Sequence, residues 1–557
     1  MIKEYISKLA QAKLTFKELL TFVKGFHKEL SILTLLNLII YAIGICLAVI
    51  TKSVIDNLST SGSRFASYLF AYLLINILLL LIQSYRNAYK TIYSEKLRNS
   101  LQLKYLESYF NIHYSESFNY QTGDVLTRLT SNITNIVNFF TFTLPNIIAL
   151  FMQLIIAFII VFNYDKILGV YGFLIMPIVA ILSFVFGKRM TFQQRRINQK
   201  EGYYRGFLSE TIYNSTIIRC FEYTKETLIK TKKLQDDKLK IIKEKSHTVI
   251  VSSFLVQLGY SISSFIAFGW GAIRIQQGYL TLGMFFAIIQ LMSRMQSPIM
   301  ELTRALPHYI NAITAMERLN TLQTTKKLTS KNKPNINEKF NINIKSLSYS
   351  YNREKNILNG FNLKIRSGEK IALIGTSGVG KTTFLKLIMT LLEPLEGYIS
   401  IEGATAKYEN DISFYSFVPQ GNSLLSGTVR ENLLIGDKTA SETELWYALR
   451  TAYAETFIHE LPNGLETNLG EGGAGLSEGQ LQRLCIARAL IRKTSILLLD
   501  EATSSLDKNT EEIVLKNIFE YYPSKTVIAI THRPTLLNYV DRVIDVSKLG
   551  AFKQEIH

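Results

Sequence analysis

Leu476-Ser477-Glu478-Gly479-Gln480 is the stretch whose reading decides the fold. Ser477 and Gly479 stand where a helix is expected to begin, with Gln480 to Ile491 as its body. A hydroxyl and backbone amides at a helix start bind phosphate well. Upstream runs Gly375-Thr376-Ser377-Gly378-Val379-Gly380-Lys381-Thr382-Thr383, which fits G-x-x-x-x-G-K-[ST]. Downstream runs Leu497-Leu498-Leu499-Asp500-Glu501, an apolar run ending in two carboxylates.

Moving outward, Ile371 to Ile374 reads as a short strand entering Gly375, and Phe384 to Ile388 reads as helix. In that strand–loop–helix context the backbone N–H groups of 375–383 wrap phosphates. Lys381 neutralises β/γ charge and Thr382 supplies a hydroxyl to Mg²⁺. Asp500 suits Mg²⁺ coordination through water, and Glu501 is placed to accept a proton from an attacking water. The chain already cradles its phosphates with 375–382; a second anion site at Ser477 makes sense if it closes over another subunit's ATP.

These motifs, in this order, resemble the ATP-binding cassette (ABC) superfamily, and further residues match that pattern. Asp500 and Glu501 match its Walker B acid and catalytic glutamate. His532, ending Ile528-Ala529-Ile530-Thr531-His532, resembles the switch histidine that contacts the γ-phosphate. Gln420, in Val418-Pro419-Gln420, resembles the glutamine that links Mg²⁺ and the water site to the membrane domain. Tyr351 resembles the aromatic residue that stacks on adenine, with Tyr349 as its rival. Ser477, Gly479 and Gln480 resemble the signature that completes a partner's site, and Asp507 the loop crossing the same interface. Glu471-Gly472-Gly473 resembles a loop that reports to the membrane half. Glu478 departs from the commoner glycine, and Gly421 stands where an acid is frequent. The end at His557 implies a truncated final helix.

The 557 residues divide in composition. Up to about residue 300 long apolar runs recur; beyond about 320 the chain reads as soluble α/β. Six runs are long enough to cross a bilayer, near 31–53, 66–85, 139–163, 167–187, 248–272 and 278–300. The first is too long for a signal-peptide core and has no small-residue cleavage site, so it is read as retained. The net charge of +18 sits mainly before the first run and in the inner segments, with few cations outside. That bias puts both termini and the ATP-binding half in the cytoplasm, and no nucleic-acid-binding module accompanies it. Cys46, Cys220 and Cys485 form no metal spacing or disulfide framework.

Outer connections are short, at 54–65, Asn163 to Lys166, and 273–277. The inner ones, 86–138 and 188–247, are long, charged and helical in pattern. This arrangement resembles exporters with type I (type IV) transmembrane domains. Phe16, Leu19, Leu20, Val23 and Phe26 follow helical spacing, which reads as an amphipathic elbow helix on the membrane. Two turns, near Tyr114 to Gln121 before Gly123 and Arg128, and near Thr211 to Ile218, resemble coupling helices.

The expected layout is an elbow helix over 1–30, an all-α six-helix transmembrane domain over 31–319 with long cytoplasmic extensions, a linker over 320–338, and an α/β P-loop NTPase domain of ABC type over 339–557. The resemblance implies an ATPase that exports or flips an amphipathic drug, lipid or peptide, using ATP and Mg²⁺. Its partner is a second copy, favoured because Glu501, Ser477 and His532 are all present, or a related half-transporter. An ATP-gated channel or sensor would keep the same motifs. A soluble ABC ATPase is disfavoured by the six runs, and an importer by the fused modules. Only about thirty residues precede the first run, so no leader peptidase is expected. Lys-, Asn- and Ile-rich usage points to a bacterial cytoplasmic membrane. Asn37, Gln153, Gln257, Tyr260, Gln290, Ser293 and Arg294 are candidate cavity-lining residues within the spans.

Overall fold

The apolar runs become long helices because lipid leaves backbone groups only one another to bond. The computed structural model describes residues 22, 24–58, 63–112, 114–117, 120, 122–322, 340–351, 356–403, 407–409, 411–421, 423–473 and 475–549. Most of the elbow helix, most of the linker and the end of the chain lie outside them. The chain divides into two units, one of residues 1–110 and 121–324, the other of 111–120 and 325–557.

In the first unit, α1 (His27–Asp56), α2 (Ser63–Phe110), α3 (Leu144–Tyr164), α4 (Lys166–Tyr213), α5 (Thr224–Gln276) and α6 (Leu282–Asn320) carry the six apolar runs. Two π-type stretches, Arg128–Asn132 and Phe139–Thr143, precede α3 within one continuous rise from Gly123. By length and hydropathy, four helices among the described residues qualify as spans: His27–Asp56, Phe65–Phe110, Gly123–Tyr164 and Thr224–Gln276. On α2, Leu69, Phe70, Leu73, Leu80 and Leu81 are exposed. An apolar face of that extent needs lipid or another chain against it.

Small residues let these helices approach one another. Ala48, Ala157, Val161, Ala267, Ile288 and Leu291 share one buried cluster. Asp165 forms the tight turn between α3 and α4, accepts from Leu168 N at 3.0 Å, and meets Arg274 Nε at 3.1 Å. Asn37 and Gln153 are buried and serve as ties between helices. Asn37 Oδ1 accepts from Arg86 at 2.9 Å, and Gln153 Nε2 donates to Arg294 O at 3.0 Å. The guanidinium of Arg294 fills the notch at Gly44, where a Cβ would lie 2.4 Å from its nitrogen. Gln257, Gln290 and Ser293 are exposed. The long charged segments between spans are helical, and α4 and α5 are linked there by Arg196–Glu244, Lys200–Asp237 and Lys238–Glu201. The two turns expected near Tyr114 and Thr211 contain short helices, Tyr114–Ser117 and Ser215–Cys220.

The second unit begins with β1 (Asn341–Tyr349), β2 (Leu358–Ile365) and β3 (Lys370–Ile374), followed by α7 (Lys381–Ile388). Then come β4 (Glu396–Glu402), β5 (Lys407–Glu409), β6 (Tyr415–Val418), β7 (Gly427–Thr428) and β8 (Asn468–Leu469). Next are α8 (Glu478–Ile491), β9 (Ile496–Asp500), α9 (Lys508–Tyr521), β10 (Thr526–Ile530) and β11 (Arg542–Asp545). One sheet is antiparallel, in the order β2-β1-β4-β5; the other is parallel, in the order β11-β3-β10-β9-β6. β9 and β10 are buried along their whole length, as strands covered on both faces must be.

Candidate ATP site at the strand ends

The parallel register explains how distant residues meet. Ile530 pairs with both Leu373 and Asp500, and Val418 pairs with Leu499. The turns carrying Gly375, Gln420, Glu501 and His532 therefore leave the same carboxyl edge, where open α/β sheets bind ligands.

The 375–380 turn is built by glycines with positive φ. Gly380 caps α7 at φ 102°, and a Cβ there would sit 2.4 Å from Ile357 Cγ2. Thr376, Ser377 and Gly378 are exposed, while Val379 is half-buried and its N–H donates to Thr376 O at 3.3 Å. Lys381 is buried on this turn, its ammonium donating to Gly375 O at 2.7 Å and Thr376 O at 3.2 Å.

Thr382 Oγ1 donates to Asp500 Oδ1 at 3.2 Å. Burial is the main force holding the Asp500 carboxyl above its ordinary range. The Thr382 hydrogen bond opposes this, the neighbouring Glu501 charge adds to it, and Lys386 and Lys381 oppose it further. A buried acid of this kind is relieved by a nearby cation.

Glu501 is the pivot. It has φ 49°, and its N–H donates to Ile530 O at 3.1 Å, which turns the side chain off the strand axis. Gln420 Nε2 donates to Glu501 Oε2 at 2.9 Å, and His532 Nε2 lies 3.6 Å from Oε1. Sequence reasoning placed these three together, and the fold brings them together. The amide of Gln420 is turned to Glu501 rather than to the Thr382–Asp500 pair.

The two tyrosines separate cleanly. Tyr349 is buried in the core of the antiparallel sheet, and Tyr351 is exposed. The two rings form a T-shaped pair with centroids 5.2 Å apart, and the Tyr351 hydroxyl is 3.3 Å from Thr383 Oγ1. Of the two, Tyr351 is the exposed one and lies beside the phosphate turn.

Ser477 caps α8 through a reciprocal box. Its Oγ accepts from Gln480 N at 3.3 Å, and its N–H donates to Gln480 Oε1 at 2.9 Å. Ser477 is exposed, and a Cβ on Gly479 would come 3.3 Å from Ser505 O. Asp507 caps α9 by accepting from Thr510 N at 3.0 Å, and hydrogen bonds from Thr510 hold its carboxyl below the usual range.

The sequence reading passed over Gln482, Glu511 and Arg533, which surround the 503–507 turn. It also passed over Lys386, whose ammonium lies 5.5 Å from the Tyr114 ring centroid within the second unit. Glu511 was legible, because it shares one helical face with the buried Val514, Leu515 and Ile518. Among the described residues no cluster of three or more His, Cys, Asp or Glu could hold a metal.

Comparison with known proteins agrees with this geometry. Residues 358–504 match the ABC transporter family model, and residues 30–299 match the ABC transporter transmembrane region. The chain is 30% identical over 458 residues to the ABC transporter ATP-binding protein YwjA of Bacillus subtilis, covering 79% of this chain and 77% of that one. It is 31% identical over 459 residues to an ATP-dependent lipid A-core flippase of Desulfotalea psychrophila, covering 80% and 79%. A bacterial Atm1-family ABC exporter solved with ATP bound has the same fold, with TM-score 0.82 at 22% identity, covering 93% of this chain and 94% of that one. With a helical transmembrane region fused to an α/β ATPase domain in the exporter arrangement, the chain belongs to the ABC transporter family and is a multi-pass membrane ATPase coupled to transport.

Proposed function

We propose that the protein is half of an exporter in the bacterial cell membrane, with cytoplasmic termini, whose two copies share two composite ATP sites. The observation carrying this is the exposed, capped helix start at Ser477, which repeats the anion-binding chemistry of a turn the same chain already supplies at 375–380. Each site then joins 375–383, Asp500, Glu501, His532 and Gln420 of one chain to Ser477, Gly479, Gln480 and Asp507 of the other.

Tyr351 stacks on adenine and Lys381 moves from its own turn's carbonyls to the phosphates. Thr382 and Asp500 present hard oxygen donors 3.2 Å apart, and the buried acid gains from a cation, so the pair fits Mg²⁺. When bound with ATP, that ion neutralises phosphate charge. Glu501 takes the proton of the attacking water, while Gln420 and His532, both on its carboxylate, orient it. Closure over two ATP molecules turns the membrane cavity outward; hydrolysis resets it. The flippase relative favours an amphipathic cargo such as a lipid, drug or peptide.

Mixed dimers test the shared sites. Ser477→Ala and Lys381→Ala on separate chains leave one intact site, whereas both changes on one chain damage both. Equal loss in the two arrangements refutes the shared-site reading. Export is tested in proteoliposomes with a fluorescent lipid or a cationic dye. Movement should need ATP and vanish in Glu501→Gln; hydrolysis without movement of any cargo would favour a sensor or channel.

A further inference from the structure

The turn between Glu501 and Asp507 is held from two sides by side chains that the chemistry above does not use. From one side, Arg533 donates to Leu506 O at 2.6 Å and to Ser504 O at 2.5 Å. The same guanidinium meets Glu511 Oε2 at 3.3 Å, while Thr503 Oγ1 donates to Glu511 Oε1 at 2.6 Å. From the other side, Gln482 donates to Ser504 Oγ at 3.0 Å and accepts from Ser505 N at 2.9 Å. Ser505 Oγ also reaches Glu478 Oε2 at 3.4 Å.

Glu511 is 1% exposed and Gln482 5% exposed. Stability alone gives little reason to bury such groups, because apolar residues of similar volume often do as well as a buried ion pair. Direction is what the polar groups add. Two carbonyls on alternate residues of the turn are aimed at one planar guanidinium, whose own orientation is fixed by a buried carboxylate.

The ends of this network lie in the reacting site. Arg533 directly follows His532, whose Nε2 is 3.6 Å from Glu501. Gln482 lies on the helix that begins at Ser477. We propose that Arg533, Glu511 and Gln482 are positioning residues that lock the 503–506 turn, so that His532 and the Ser477 helix start are set as one body. What Ser477 meets rests on the shared-site reading; the lock on His532 does not.

The test uses the full chain in lipid nanodiscs, measuring kcat and KM for ATP together with the thermal midpoint. Arg533→Lys keeps the charge beside Glu511 but cannot serve both carbonyls. Arg533→Met combined with Glu511→Met removes the pair without orphaning either charge. Both should lose about tenfold or more in kcat, the scale of a reacting group displaced by a fraction of an ångström to an ångström. KM should stay within about threefold and the midpoint near wild type. A purely structural pair predicts a folded double Met variant with normal kcat. A kcat within about twofold of wild type in either variant overturns the proposal, and if the double variant does not fold, Arg533→Lys decides. Ser477→Ala run alongside separates the two ideas: wild-type hydrolysis there sinks the shared site and leaves the lock judged on its own kcat.

Discussion

Ser477→Asp separates the two roles of the helix start, because they respond oppositely to a carboxylate. As a cap, Ser477 Oγ accepts from Gln480 N at 3.3 Å. Asp performs that role about as well as Ser, so helix stability should change by only a few tenths of a kcal/mol. As a phosphate contact, the same position would bring a full negative charge toward the γ-phosphate. At about 5 Å and an effective dielectric near 20, that repulsion is about 3 kcal/mol, or more than a hundredfold in kcat/KM. Ser477→Ala loses both roles without adding charge: the cap, about 1 kcal/mol, and the phosphate-facing hydroxyl, so hydrolysis should fall, but by less than with the added repulsion. The assay is steady-state ATP hydrolysis in lipid nanodiscs, with a thermal midpoint recorded on each variant. Ser477→Asp should retain the wild-type midpoint and lose at least about a hundredfold in kcat/KM. If it hydrolyses ATP as well as wild type, Ser477 is only a cap and the composite site is wrong.

Two further outcomes follow from local geometry. Gly380→Ala combines a φ of 102° with a Cβ 2.4 Å from Ile357 Cγ2, so ATP affinity, measured by nucleotide titration, should fall about tenfold from roughly 1–2 kcal/mol of backbone strain; Ile357→Ala should restore part of it, and unchanged affinity in Gly380→Ala would contradict the strain. Lys525 is buried at the start of β10, donates to Arg492 O at 3.3 Å, and burial pushes its ammonium down to about 8. Its folded value lies below the unfolded one, so the fold is penalised below about pH 8 and the penalty fades as pH rises toward 10.5. Lys525→Met should therefore raise the thermal midpoint of the ATPase domain by several degrees at pH 7, from about 3 kcal/mol, with the gain vanishing by about pH 10.5; a pH-independent effect would contradict this.

The parts of the site legible in the sequence are those whose geometry is local. A phosphate turn is set by its glycines and the helix that follows it. Asp500 and Glu501 are adjacent at the end of an apolar strand, and Ser477 caps the helix that Gln480 closes three residues later. The strand order is a tertiary fact, yet Gly375, Gln420, Glu501 and His532 already sat at strand ends, so the parallel register needed only to align them. Side chains within the spans were harder to read. Asn37 and Gln153 both read as cavity polar groups; Gln153 does line a cavity, with Leu38, Tyr41 and Met152, but in a low-dielectric interior a polar side chain also seeks the nearest partner. Here those partners are Arg86 and the backbone of Arg294.

The network around the 503–506 turn shows how a buried acid could have been found without coordinates. Glu511 and Glu512 are adjacent in sequence and chemically alike, but only Glu511 falls three, four and seven residues before Val514, Leu515 and Ile518. An acid on the apolar face of a helix must either be neutralised or paired, since leaving it bare in the core costs far more than any packing it provides. The partner must then be a cation delivered by the neighbouring strand end, which makes Arg533, immediately after His532 in the turn that leaves β10, the natural candidate. The observed 3.3 Å contact is that pairing. In the fold the pair forms against the turn that follows Glu501, with Arg533 also donating to Ser504 O and Leu506 O. A helix-face charge thus marks, in sequence alone, a contact that the loop after Glu501 makes in the fold.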